Sequence, residues 1–254
     1  RQYAVADYHK DHPDQPVMGT EMGSTVTTRG IYEKDSIRAY LPDHDITAPW
    51  WASRAEEWWK LAATNDFWLG GFIWTGFDYR GEPTPYGWPC INSHFGVMDM
   101  CGFPKNIYYY YQSWWSNKDV LQLSPHWNDW KVGDSVKVWV NSNADEVELF
   151  LNGKSLGKKA KQNDDLHISW RVKFEPGTLK AISRKDGKVV LEKEIHTAGT
   201  ASKIALVGDK QAIKNDTYDL VYVTVSITDK DGNLIPNAND LINFEVTEIG
   251  RAHV

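Results

Sequence analysis

The hydrophobic period changes near residue 118, and that change limits the chain to a composite architecture. Before it, apolar runs alternate with helical repeats. Pro16-Val17-Met18-Gly19-Thr20, which ends at Glu21, and Leu69-Gly70-Gly71-Phe72-Ile73-Trp74 are short apolar runs that read as buried strands. Between them Trp51, Ala55, Trp58, Trp59 and Ala62 recur at three- and four-residue steps, with Glu56, Glu57 and Lys60 on the other face. The pattern predicts a helix over residues 51–63, entered just after Pro49. Strand, helix, strand at this spacing is a βαβ unit with a parallel pair. A further helix is predicted over residues 105–115, after Gly102-Phe103-Pro104.

Beyond residue 118 the period falls to two. Ser135-Val136-Lys137-Val138-Trp139-Val140 alternates polar with apolar, and residues 146–151 follow and run into Asn152-Gly153, a strong two-residue hairpin signal. Residues 167–174 and 177–182 continue the pattern, and Asp186-Gly187 turns the chain before Val189-Val190-Leu191. Residues 221–228 and 242–246 repeat it around Asp231-Gly232-Asn233. Short alternating strands separated by regular turns predict β-sandwiches. Tryptophan marks the same divisions: nine of the 13 lie in residues 1–118 and none follows residue 197. Three units are therefore expected, 1–118, 119–197 and 198–254, the last an incomplete sandwich. Arg1 in place of Met, and Val254 within a strand-rich pattern, read as cut ends.

Several kinds of chemistry drop out. A net charge of −6 with no basic patch argues against a nucleic-acid partner. No apolar stretch reaches the ~20 residues of a membrane-spanning helix. The eight His and two Cys show no metal-ligand spacing, and Cys90 and Cys101 are expected to be free buried thiols. Neither a nucleophile elbow nor a phosphate loop is present. Asn215-Asp216-Thr217 fits a glycosylation sequon.

Carboxylate chemistry remains. Parallel βα-units present their functional groups at the carboxyl ends of the strands. Glu21 and Asp78 satisfy that rule, and Glu21 sits among Gly19, Thr20, Gly23 and Ser24, small neighbours that let a ligand approach. Residues 76–89 combine Gly, Pro and aromatic residues with Asp78 and Glu82. Rings beside carboxylates suit a sugar, whose apolar faces stack on Trp or Tyr while the acids accept hydrogen bonds from its hydroxyls. Trp127, Trp130 and Trp139 in the middle unit are expected to pack between domains rather than to form a sugar-binding row.

Four segments carry a resemblance to a known family. They are Gly19-Thr20-Glu21-Met22-Gly23-Ser24, Gly71-Phe72-Ile73-Trp74-Thr75-Gly76-Phe77-Asp78-Tyr79, Gly81-Glu82-Pro83-Thr84-Pro85, and Ser93-His94-Phe95-Gly96 through Gly102-Phe103-Pro104-Lys105. Through them residues 1–118 resemble the end of the catalytic barrel of glycoside hydrolase family 2, the β-galactosidase type. The resemblance implies a multidomain fold: the C-terminal part of a (β/α)8 TIM barrel, strands seven and eight, followed by immunoglobulin-like all-β sandwich domains. It places Glu21 where the family has its nucleophile and Trp74 at the floor of the sugar pocket. Asp78 and Glu82 fall where sugar contacts or loop supports are expected. The implied activity is retaining hydrolysis of terminal β-galactosides through a covalent glycosyl-enzyme, with a second carboxyl ~5–5.5 Å from the nucleophile as acid and base.

The family takes that second carboxyl from an Asn-Glu pair, and no Asn-Glu dipeptide occurs in these 254 residues. It is expected upstream, so the chain alone is expected to be inactive. No cofactor and no metal site are expected in this chain, although the family allows a structural metal in the complete enzyme; the resemblance implies a carbohydrate as the partner and a periplasmic or secreted bacterial location, and nothing in the sequence specifies an oligomeric state. Relatives act on glucuronides and mannosides too. Gly81-Glu82-Pro83-Thr84-Pro85 points to a galactoside, because a glucuronide reader would present a basic partner and this loop holds only Arg80. The other alternative is a carbohydrate-binding or structural accessory fragment.

Overall fold

A computed structural model describes residues 4–161, 167–214, 216 and 218–245. The chain forms two compact units, Arg1–His196 and Thr197–Val254.

The first unit opens with helix α1 (Ala4–Asp11), strand β1 (Val17–Gly23), helix α2 (Ala55–Ala63), strand β2 (Trp68–Trp74) and helix α3 (Asn106–Trp115). β1 and β2 pair in parallel, as the βαβ reading requires. Helix α2 starts four residues later than its apolar period suggests. Buried Asp45 accepts the N–H groups of Ala55 and Glu56, both at 2.9 Å, and Glu57 closes back on the Arg54 N–H at 2.9 Å. A helix N-terminus leaves donors that need such acceptors, so the cap sets the boundary. Asp43 treats α3 alike, accepting the Asn106 N–H at 3.1 Å and the Gly30 N–H at 2.9 Å. Burial pushes the Asp43 carboxyl up to about 7.

The helices cover one face of the parallel pair. Trp58, Ala62, Trp68, Ile107, Tyr110 and Tyr111 form a buried cluster, joined by Met22 and Ile73. The other face is open among the described residues: Met18, Leu69 and Phe72 are exposed at 52%, 69% and 64%. The expectation of two buried strands is thus met on one face only. A run of apolar residues reports that both faces avoid water in the end, and only the helix-facing side chains find their cover here.

Strands β3 (Leu121–Ser124), β4 (Ser135–Ser142) and β7 (Ile168–Lys173) form one antiparallel sheet. Strands β6 (Lys154–Lys159), β5 (Glu146–Leu151), β8 (Thr178–Lys185) and β9 (Lys188–His196) form the other, in that order. Their inward residues make one core, with Val138, Val140, Val147, Leu149, Leu179 and Ala181 fully buried. Asn152 and Gly153 both adopt positive φ, 50° and 79°, as a two-residue turn between β5 and β6 demands. Trp127 is buried in this core, its Nε1 donating to the Glu175 carbonyl at 2.9 Å, and Trp130 packs against it.

Trp139 lies at the seam with the βα-part. Its ring stacks on His44 at 4.6 Å and on His167 at 3.6 Å. His167 Nδ1 reaches Glu56 on α2, and the Asn106 side-chain amide donates to Ser124 Oγ at 2.8 Å. Burial holds the His44 imidazole down to about 3, so it sits in the seam uncharged. This seam explains why residues on either side of 118 belong to one compact unit.

In the second unit β10 (Lys203–Gly208) pairs antiparallel with β11 (Val223–Thr228). Asp229 closes the following turn, accepting from the Asp231 and Asn233 N–H groups at 2.9 Å each. The strand expected over residues 242–246 does not form over 242–245, and Val246 lies outside the described residues. An alternating pattern becomes a strand only beside a hydrogen-bonding neighbour, and this sheet has two strands among the described residues. Asn215 and Thr217 of the sequon also lie outside the described residues.

Candidate carbohydrate site

The carboxyl ends of β1 and β2 meet through the pairing of Gly23 with Trp74. The register is not uniform. Gly19 pairs with Gly71 and Met22 with Ile73, so Thr20 and Glu21 together oppose Phe72 alone. Such a bulge inserts one residue and re-aims a side chain. Consecutive Thr20 and Glu21 are both exposed here, which strict alternation would forbid. Met22 on the opposite side folds over Gly19 and Gly71. A Cβ on Gly19 would lie 2.3 Å from its sulfur, and one on Gly71 would lie 2.6 Å from its Cγ. Those two glycines let Met22 reach the helix-side cluster and leave Glu21 on the open face. A cleft of about 850 Å³ runs along β1, lined by Glu21 with Met18, Thr20, Ser24, Trp50 and Trp51.

Trp74 ends β2, 37% exposed, and the peptide after it is cis. Its Nε1 donates to the Tyr79 hydroxyl at 3.2 Å, with the two rings 6.0 Å apart and nearly perpendicular. The Tyr79 hydroxyl in turn donates to Glu82. Burial, then the hydrogen bond to Glu82, pushes the Tyr79 phenol up to about 12, and the charge of Glu21 acts on it in the same direction. Trp74 and Glu82 therefore meet at Tyr79, a residue within the motif that no sequence rule singled out.

Asp78 turns the other way. Its carboxylate accepts from the Gly96 N–H at 2.8 Å and pairs with Lys105 Nζ at 2.8 Å; only 11% of its side chain is exposed. Lys105 is fully enclosed, donating also to the carbonyls of Thr27 at 2.7 Å and His94 at 3.2 Å. Of the two roles open to Asp78, this geometry is that of a loop support. Gly96 belongs to the same device: a Cβ there would fall 2.2 Å from the Asp78 nitrogen. Cys90 and Cys101 are free, but they lie partly exposed and exposed on this loop rather than buried in a core. Among the described residues, no three His, Cys, Asp or Glu side chains gather to hold a metal, and no helix is long and apolar enough to cross a membrane.

An exposed carboxylate and an exposed indole at the carboxyl ends of paired parallel strands are the residue types that suit a sugar. Comparison with known proteins gives that class a family. Residues 204–253 match the family model of glycoside hydrolase family 2 C-terminal domain 5, and residues 133–191 match a domain of unknown function, DUF4982. The β-galactosidase BoGH2A of Bacteroides ovatus is 48% identical over 251 residues, covering 92% of this chain and 29% of that protein. A putative β-glucuronidase of Formosa agariphila is 36% identical over 198 residues, covering 76% of this chain and 19% of that protein. A β-glycosidase structure from Bacteroides vulgatus superposes with a TM-score of 0.83 at 27% identity, over 91% of this chain and 34% of that one. The chain belongs to glycoside hydrolase family 2. It spans about 29% of the length of its Bacteroides ovatus relative.

Proposed function

We propose that this chain is the C-terminal part of a retaining β-galactosidase, with Glu21 as its nucleophile. The observation that carries the reading is the bulge at Thr20–Glu21, which leaves one exposed carboxylate at the end of a parallel strand in a cleft also lined by Trp50 and Trp51. β1 and β2 are then the last two strands of a (β/α)8 barrel, and exposed Met18, Leu69 and Phe72 face the barrel interior. In the sandwich Trp127 and Trp139 are buried and Trp130 packs on the core, which favours packing over a sugar-binding row for these three.

A Glu21 carboxylate oxygen attacks the anomeric carbon as the bond from that carbon to the leaving oxygen breaks. A carboxylic acid elsewhere in the protein gives its proton to the departing oxygen. The same group, now a carboxylate, takes a proton from water, whose oxygen displaces Glu21 and restores the original configuration. Trp74 offers the sugar an apolar face, and Glu82 offers its hydroxyls an acceptor. The family resemblance supports a periplasmic or secreted location.

The test uses the complete protein and a 2-deoxy-2-fluoro galactoside with an activated leaving group. Such a leaving group departs with little acid assistance, so the reagent reports on the nucleophile. The expected result is a covalent adduct mapped by peptide mass spectrometry to Glu21; an adduct on another carboxylate removes Glu21 from the role. The 254-residue chain alone is expected to show no turnover of aryl galactosides, since general acid catalysis contributes ~10²–10⁴-fold and an open site loses orientation as well. Robust turnover by the chain would place both carboxyls within it.

A further inference from the structure

We infer that Glu82, held in place by Tyr79, is a specificity residue that admits neutral sugars and turns away uronic acids. The inference rests on the reading of Glu21 and Trp74 as the sugar site. Its own basis is the relay Trp74 Nε1 to Tyr79 hydroxyl to Glu82. Tyr79 has one hydroxyl proton, and it goes to Glu82; its oxygen lone pair takes the indole N–H. The relay therefore has a fixed direction, and its end is a carboxylate rather than a neutral donor.

Three features make this carboxylate a reader of sugars and not a surface charge. Glu82 lies at a positive φ of 45° after Gly81, so its place on the loop is set by the backbone turn. The Tyr79 N–H donates to Ser93 Oγ at 3.0 Å, which ties the relay to the strand-like segment packed against it. Glu82 accepts from the same hydroxyl that accepts the Trp74 indole N–H, so this carboxylate stands beside the exposed Trp74 ring. A neutral hexose can lie on that ring and donate hydroxyls to the acid. A hexuronate on that ring would bring its negative charge toward the Glu82 carboxylate, with only Arg80 as a cation in residues 76–89. Arg80 is engaged, its guanidinium donating to Asn92 at 2.7 Å. Like-charge exclusion is the repulsive half of specificity, and the hydroxyl contacts are the attractive half.

Tyr79 is a positioning residue here: it touches the indole and the acid, and it acts on substrate through them. Remaining protonated is a condition of that role, and a phenol pushed up to about 12 meets it at every pH where the enzyme would work.

The experiment compares p-nitrophenyl β-galactoside with p-nitrophenyl β-galacturonide, which differ only at carbon six, using the complete protein. For Glu82→Gln the galactoside KM is expected to rise roughly tenfold with a smaller change in kcat, as loss of a ground-state contact requires. The ratio of kcat/KM for galactoside over galacturonide is expected to fall at least about tenfold. Glu82→Asp keeps the charge and is expected to keep most of that ratio; Tyr79→Phe is expected to lower it less than Glu82→Gln does. An unchanged ratio in Glu82→Gln, or equal losses on both substrates, would leave Glu82 a loop support and overturn the inference. No turnover of either substrate by the unaltered protein, with no adduct on Glu21, would sink the glycosidase reading and this inference with it.

Discussion

Replacing Glu21 by Ala in the complete protein is expected to lower kcat/KM for aryl galactosides roughly 10⁴-fold or more. That corresponds to about 5 kcal/mol or more of lost transition-state stabilisation. The magnitude follows from the role: with no nucleophile, the two-step displacement is unavailable, and the remaining groups only bind and orient. A drop in rate alone would not separate a nucleophile from a residue that shapes the site. Added azide makes the distinction. In Glu21→Ala the anion can enter where the carboxylate stood and attack the anomeric carbon from the same side. A single displacement inverts configuration, so the product is the α-galactosyl azide. Loss of the acid–base carboxyl would instead leave Glu21 to form the glycosyl-enzyme, and azide would then give the β-product. Recovery of α-azide therefore assigns the nucleophile, and recovery of β-azide would assign Glu21 to the other role. The substitution is expected to leave the fold intact, because Glu21 is exposed on the bulge while Met22 next to it carries the packing.

The parts of this architecture written in periodic patterns were legible. The parallel pair, α3 and the strands around Asn152-Gly153 follow from apolar spacing and turn chemistry, which are local properties. What depended on distant partners was not. The expected first strand ends at Glu21, whereas β1 runs on to Gly23, because the bulge places two exposed residues in succession and breaks the alternation. The start of α2 was misplaced for a similar reason: its cap is Asp45, ten residues upstream, and no local rule links them. β6 reads Lys-Ser-Leu-Gly-Lys-Lys, a charged edge strand with almost no apolar signal. Within the site, Glu21 and Trp74 were visible as residue types at strand ends and Glu82 as one in a suggestive loop. Tyr79 and Lys105 were hidden, since an aromatic and a cation gain meaning only from what their polar atoms meet in space.

Lys105 and Asp78 supply the second large effect, on stability rather than rate. Asp78→Ala is expected to destabilise the first unit by about 3–5 kcal/mol, because it strips the carboxylate from an ammonium with no solvent exposure. The two carbonyl acceptors, Thr27 and His94, remain, but neither carries the compensating charge. Lys105→Met is expected to cost a comparable amount by leaving the Asp78 carboxylate nearly enclosed. The directions of titration agree with this picture: burial raises the Asp78 carboxyl and lowers the Lys105 ammonium, each toward its neutral form, and each partner opposes the shift in the other. The double variant Asp78→Ala with Lys105→Met is the informative one. A buried pair replaced by apolar groups is often close to neutral, so its loss is expected to fall well short of the sum of the singles. Denaturant midpoints at unchanged slope give the three values. Additive losses would mean that the two groups act independently and that the 76–104 loop is held by its backbone bridges instead. The coupled result would also explain why the acid next to Tyr79 in sequence faces away from it: Asp78 fixes the segment that carries Tyr79 and Glu82.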